Sequence, residues 1–434
     1  MAAQFISQDP VPHPEARPLQ RSGSALAESA QSHATSASRS HWHAVTAATL
    51  LMALVMGSRS AFGLFVSPLN SATGIGLAGL GLAIAAGQLA QGFAQPSVGW
   101  LADRFGARRL IQSGAVLLAA TTATIAFADS LFALAVVMVL LAFAGSAVGS
   151  SNLLLAEVGR RVPLKQRALA FGLVSAGGSA GQMLIGPGTQ LAIDLYGWIA
   201  ALIALALVAL VAWPLALPFA SSSPAAPMEP VAKTDSGGAL RSADFWMIAG
   251  SYAVCGFHVG YLTTYMPGVI ERCGLPPSLA GAWLAVLGVA NIAGSLGVAW
   301  WLRRHTPRTV LMTIFALRGG SVALFLTLTP TPATMLGFAA LMGVSYMALL
   351  PAISQQVAER FGMTRMATLF GVVGLMHQIG SFAGVGLGGV VAAETGRDTL
   401  LWVIDTGMAA AAVALQWRLG RPSVGVTWPQ LRPV

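Results

Sequence analysis

Gly99-Trp100-Leu101-Ala102-Asp103-Arg104-Phe105-Gly106-Ala107-Arg108-Arg109 separates two apolar runs, 76–99 and 109–127. Each run has about the 20 residues that a helix needs to cross the hydrocarbon core of a bilayer. Within the stretch, Gly99 permits close approach of two helices and Gly106 permits a tight turn. Asp103 can pair with a neighbouring arginine or face a helix N-terminus. A charged link that turns this sharply between two apolar runs implies two antiparallel membrane helices, joined on the side where basic residues collect.

The rest of the chain agrees. Hydrophobic residues make up 55% of the 434 and charged residues 9%, against about 25% charged in soluble domains. So few charges cannot solvate a water-soluble fold of this size, and lipid must be the solvent for much of it. The net charge is +9. Its basic residues sit in short clusters between apolar runs, without interleaved stacking aromatics, which excludes a nucleic-acid partner. Cys255 and Cys273, on one helix, lie 18 residues apart, roughly 27 Å. That is beyond disulfide reach, and both read as small apolar fillers.

Twelve apolar runs of spanning length can be counted, at 44–67, 76–99, 109–127, 131–154, 167–190, 197–218, 244–270, 278–302, 309–328, 332–355, 366–391 and 398–417. The longest polar break, Ala220 to Arg241, splits them six and six. Of the 24 lysines and arginines, 20 fall on one side of the resulting topology. Only Arg272 and Arg397 fall on the other, while Arg59 and Arg318 lie inside runs. This asymmetry predicts a multi-pass protein of a bacterial inner (plasma) membrane with both termini cytoplasmic. The expected organisation is a disordered tail over 1–42, a six-helix bundle over 43–218, a linker over 219–241, a second bundle over 242–418 and a tail over 419–434. A signal peptide is not expected, because the leader is too long and no small-residue cleavage site follows Met56.

The halves repeat. A shift of 199 residues lays Phe171-Gly172 on Phe370-Gly371, Gly181 on Gly380 and Gly197 on Gly396. A shift of 198 lays Ser97 and Gly99 on Ser295 and Gly297. Parallel six-helix halves with a site between them near the midplane are a recurrent transporter architecture.

The link at 99–109 resembles the G-x-x-x-D-R-x-G-x-R-R signature of the major facilitator superfamily. The resemblance implies the twelve-helix, all-α facilitator fold and a conformational latch formed by Gly99, Asp103, Arg104, Gly106, Arg108 and Arg109. The matching stretch of the second half, Arg303-Arg304-His305-Thr306-Pro307-Arg308, keeps the charge but lacks the acid. Lys165-Gln166-Arg167-Ala168-Leu169-Ala170-Phe171-Gly172, continued by Ser175, Gly177, Gly178, Ser179 and Gly181, is similar to the fifth-helix entry of the monocarboxylate transporter and oxalate/formate antiporter branches. Those branches carry a substrate-binding cation in the eighth helix, and 278–302 has none. The oxalate type also carries a lysine in the eleventh, where this chain offers His377. Gly186-Pro187 in the fifth run reads as a helix kink.

Polar groups inside hydrocarbon are costly, so their placement is informative. Arg59 lies mid-span in the first run, and its fork of donors suits a carboxylate. Gln88, Gln91 and Gln95 form one stripe in the second run; Ser175, Ser179 and Gln182 form one in the fifth; His258, Tyr261 and Tyr265 form one in the seventh. His377, Gln378 and Ser381 in the eleventh run and Asn291 in the eighth complete a set that reads as a shared wet cavity. For each stripe, hydrogen bonding between packed helices is the competing explanation. Arg318 and Asp405, at matching depths in the ninth and twelfth runs, are expected to form a structural ion pair. His258 and His377 could carry coupled protons.

The expected function is a secondary active carrier of a small, monocarboxylate-like organic anion, working as a proton-coupled symporter or an antiporter, with no cofactor and as a monomer. An exporter of drug-like compounds is the alternative, disfavoured for cations by Arg59 and by the lack of a mid-helix acid in the first, fourth and seventh runs. A non-transporting sensor would want a larger output domain. An enzyme would want a nucleotide loop, an H-E-x-x-H motif or clustered metal ligands, and the chain has none of these.

Overall fold

A computed structural model describes residues 20–163, 166–219, 237–346, 348–362, 366–395 and 398–419, and these are helical throughout apart from short links. The long helices are α1 Gln20–Ala61, α2 Leu77–Phe105, α3 Ala107–Thr124, α4 Leu131–Gly149, α5 Ser151–Arg161 and α6 Arg167–Leu210. Those of the second half are α7 Ala243–Arg272, α8 Ser278–Trp301, α9 Pro307–Thr327, α10 Pro332–Ser345, α11 Leu349–Phe361, α12 Met366–Thr395 and α13 Thr399–Arg418.

Eleven helical stretches among the described residues are long and apolar enough to cross a membrane, one fewer than the apolar runs suggested. The difference lies in the stretch Leu169–Phe219, whose 51 residues would span roughly 76 Å as one helix. It contains Gly197 at φ 82°, ψ 164°, a backbone state outside the helical region, so two crossings meet there. The backbone stays helical through Pro187, so the break falls at this glycine and not at Gly186-Pro187. The fourth crossing is also divided. Ser150 is extended at φ −67°, ψ 136°, and its hydroxyl accepts from the Leu153 amide to start α5.

One expectation is corrected at the N-terminus. α1 starts at Gln20, so 20–42 is helical and not irregular. The apolar span nucleates the helix, and the serine- and alanine-containing lead-in continues it. Residues 1–19, most of the linker (220–236), the end 420–434, and Lys165, Arg365 and Arg397 lie outside the described residues.

The repeat has a packing counterpart. A Cβ on Gly181 would sit 1.9 Å from the Ala53 carbonyl oxygen, and one on Gly380 would sit 1.8 Å from that of Ala253. Each glycine therefore lets its helix touch the first helix of its own half backbone to backbone: α6 on α1, and α12 on α7.

Three cores organise the bundle. One, at the end bearing the 99–109 link, is built only from first-half residues such as Leu51, Val98, Ile111 and Val158. A second, at the same end, is built only from second-half residues such as Phe245, Val310, Ile353 and Leu369. At the opposite end a single core draws on both halves, joining Phe65 and Leu80 to Tyr265, Trp283 and Trp402. Gly81 and Gly389 meet there, with a Cβ on Gly81 falling 2.8 Å from the Gly389 Cα. The halves thus close on each other at the far end and part toward the end of the link.

Candidate functional site

Between the halves lies a cavity of about 330 Å³. Its walls include Gln95 and Pro96 of α2, Ser150–Asn152 at the α4–α5 break, Leu349 and Leu350 of α11, and Gly371 and Gly374 of α12. All of these belong to the parts of their helices nearer the link, so the cavity occupies the space where the two separate cores diverge.

Arg59 reaches this cavity from α1. Its Nη2 donates to Gln88 Oε1 at 2.6 Å, and no ion pair to Arg59 is found among the described residues. Tyr346 of the second half also lines the cavity, close enough to feel the guanidinium charge. Gln182 Nε2 donates to Ser60 Oγ at 2.8 Å, leaving Gln182 Oε1 buried without a described partner, as is Ser58 Oγ beside Arg59. Buried polar atoms are normally satisfied, so this corner has unspent hydrogen-bonding capacity around a cation.

The second half supplies His377 and Gln378. Gln378 Nε2 donates to Gln91 Oε1 at 3.0 Å, a bond directly between α12 and α2. His377 Nδ1 lies 3.0 Å from Gln378 Oε1, and its ring lies 4.6 Å from that of Tyr252. The expected set of Arg59, Gln88, Gln91, Gln95, Gln182, His377 and Gln378 does meet at one cavity.

The α7 stripe does not join it. Tyr265 donates to the Val385 carbonyl at 2.7 Å and packs at the closed end. Tyr261 lies edge-on to Trp402 at 4.8 Å, with its hydroxyl 3.5 Å from Asp398. His258 is 1% exposed and its Nε2 sits 3.0 Å from Asp405 Oδ1. The face of α7 that does line the cavity is Tyr252, Cys255, Val259, Gly260 and Thr263. Cys255 packs in the second-half core, as a filler would, and also forms part of the cavity wall, while Cys273 is exposed and fills no core. Tyr252, Cys255, Val259 and Thr263 repeat at i, i+3, i+7 and i+11. That period was visible, but its mixed polarity hid it. Asn291 is likewise outside the cavity, its Nδ2 donating to Ser179 Oγ at 2.9 Å across α8 and α6.

Arg318 and Asp405 do not pair with each other. Arg318 donates to the Tyr346 carbonyl at 2.7 Å, to Ser345 Oγ at 3.2 Å, to the Ser345 carbonyl and to Cys255 Sγ at 3.3 Å. The carbonyls are available because the helix pauses between α10 and α11, freeing C-terminal acceptors. Asp405 instead lies against His258, whose Nε2 sits 3.1 Å from the Asp405 main-chain carbonyl as well as beside its carboxylate.

At the link, Gly106 has φ +85° and joins α2 to α3. The Arg104 guanidinium lies over the rings of Trp100 at 5.4 Å and Phe105 at 5.6 Å. Asp103 lies near Arg160 of α5. Arg160 and Arg161 both pair with Glu157. A Cβ on Gly99 would meet nothing within 4 Å, and the same holds for Gly172, Gly297 and Gly371, all at the parted end.

Residues 48–385 and 274–427 match the family model of the Major Facilitator Superfamily. Monocarboxylate transporter 13 of Rattus norvegicus is 26% identical over 373 residues, covering 84% of this chain and 85% of the relative. The oxalate:formate antiporter of Oxalobacter formigenes is 24% identical over 404 residues, covering 88% and 93%. Among solved structures, a nucleoside transporter superposes with a TM-score of 0.74 at 14% identity, covering 86% of this chain and 99% of that one.

Proposed function

The chain belongs to the Major Facilitator Superfamily and is a membrane transporter rather than an enzyme; from that premise we propose that it carries a small organic anion, monocarboxylate-like, by alternating access. The observation that supports this reading most is Arg59, a mid-span cation in the central cavity with one neutral partner among the described residues and unsatisfied polar atoms on Ser58 and Gln182 nearby. A carboxylate accepts two parallel bonds from a guanidinium, and in a low-dielectric site that attraction far exceeds its strength in water. Gln88, Gln91, Gln182 and Gln378 then serve as neutral donors and acceptors around the bound anion. With no cation in α8, Arg59 takes the role that the related branches give to that helix. The relatives are named for monocarboxylates and for oxalate and formate, which agrees with an anionic cargo.

His377 is the candidate for coupling, because its imidazole stands in the cavity wall and meets Gln378 on the same helix. The bundles 43–218 and 242–418 are proposed as the two bodies that rock about the site, with the 99–109 link as latch and cytoplasmic landmark in an inner membrane. With the link on the cytoplasmic side, the parted end faces inward. The protein works as a monomer in this scheme.

A thermal-shift screen of the purified protein against short carboxylates tests the reading, since a ligand of the folded state stabilises it by mass action. Stabilisation by at least one carboxylate, followed by its uptake into proteoliposomes, is expected. Stabilisation by amines or neutral compounds alone would sink the anion reading. Reporter fusions after Arg241 and after Glu271 should lie on opposite sides of the membrane.

A further inference from the structure

A second chamber opens beside Arg59, and nothing above accounts for it. It is lined mainly by α1, α2, α3, α4 and the second crossing of α6, with Thr263 and Thr264 of α7 from the second half, and has a volume of about 130 Å³. Its walls are mostly apolar, with Phe62, Ile84, Leu118, Ile125, Met138 and Leu141, and Ser58 adds a hydroxyl next to Arg59. Two of its hydroxyl groups are already spent on their own helices, Thr122 on the Leu118 carbonyl and Thr263 on that of Val259, each at 2.7 Å. The charge it touches is at its mouth, where Arg59, Gln88 and Gln91 are shared with the central cavity.

Protein interiors are close-packed and hold few voids larger than a water molecule. An apolar void joined to a cation at its entrance is therefore a shaped feature. Its size is informative: a cavity of about 150 Å³ lined by Leu, Ile and Phe stays dry and takes up benzene. The same chamber is hostile to a second charge, because burying an unpaired carboxylate among apolar walls is strongly unfavourable.

We propose that the chamber is a subsite for the side group of the substrate, and that the cargo is an aryl-substituted monocarboxylate: its carboxylate is held at Arg59 and its phenyl-sized ring is seated among Phe62, Ile84, Leu118, Ile125, Met138 and Leu141. This rests on the anion reading of Arg59 and narrows it. Dicarboxylates such as oxalate fit poorly, and acetate leaves the chamber unfilled.

The experiment measures binding of acetate, oxalate, phenylacetate and phenylacetamide to the full chain in detergent by thermal shift. A ring buried in the chamber should make phenylacetate bind roughly tenfold to a hundredfold tighter than acetate. Oxalate should bind no better than acetate, and phenylacetamide, which lacks the charge, should not compete with phenylacetate. Ala142→Phe, which places a ring in the chamber from α4, should bring the phenylacetate-to-acetate ratio toward one. The wild-type series decides the matter without that variant if it does not fold. Equal affinity for acetate and phenylacetate would overturn the chamber proposal while leaving the anion site standing. Equal binding of phenylacetamide and phenylacetate would overturn the anion reading, and the substrate class with it.

Discussion

Each half carries one arginine inside a membrane-spanning run, and the two have different surroundings. Arg318 of α9 is 1% exposed and donates to Ser345, Tyr346 and Cys255, with two main-chain carbonyls among its acceptors. Arg59 of α1 has one hydrogen bond among the described residues, to Gln88, and opens onto two cavities. The same side chain is thus bonded within its own half in one case and turned to a cavity in the other. One guanidinium pins the α10–α11 break; the other faces a cavity, with Gln88 as its hydrogen-bond partner among the described residues.

The contrast can be broken by removing each arginine in turn. Arg318→Leu should lower stability by about 3 kcal/mol or more, because it strands buried carbonyls and a hydroxyl. The check is thermal denaturation together with ligand affinity of the protein that still folds, which should change little. A loss of binding without a loss of stability would reverse the roles assigned here. Arg59→Gln should leave folding nearly intact but weaken carboxylate binding about a hundredfold, the scale of losing charge-assisted bonds worth roughly 1.5–3 kcal/mol. If Arg59→Gln transports an anion as well as the parent does, Arg59 is a packing residue and the contrast disappears.

Asp405 sharpens the comparison. It sits near Arg318 yet touches His258. A double-mutant cycle of His258→Ala and Asp405→Ala should show a coupling of about 1–2 kcal/mol in stability, within the range of buried contacting pairs. The cycle of Arg318→Ala with Asp405→Ala should show less. Strict additivity of the first cycle would reject the His258–Asp405 contact. The smallest effect is expected at the link. Asp103→Asn should slow turnover several-fold while leaving equilibrium binding within about twofold, since Asp103 lies near Arg160 and outside the cavity walls. Lost binding in a folded Asp103→Asn protein would place the link in the substrate site.

Particular residues show how far the sequence could be read. Arg59, Gln88 and Gln91 were legible as a site because a charge and amides in hydrocarbon have few harmless placements. The α7 stripe was equally regular, yet His258, Tyr261 and Tyr265 turn into the second half against α12 and α13. Periodicity places residues on one face of a helix without saying which neighbour that face meets. Asp405 and Arg318 show the same gap: depth along two helices could be counted at 1.5 Å per residue, but rotation about the helix axes could not. The apolar chamber left no trace in the sequence, because its wall residues look like ordinary core.

What the sequence determined by itself is which segments cross the membrane, that they fall into two related halves, and which few side chains must avoid lipid. Those follow from local, additive terms: the transfer of apolar side chains, and the need to satisfy every backbone group within its own helix. Tertiary structure alone decided that Arg59 opens onto the cavity while Arg318 is bonded to carbonyls of its own half, that Cys255 and Tyr252 face the cavity while His258 does not, and that a ring-sized void lies beside the cation. Those depend on how closely and at what rotation helices meet. That is set by contacts such as Gly181 against Ala53 and Gly380 against Ala253, whose partners lie more than a hundred residues apart and have no signature in either segment alone.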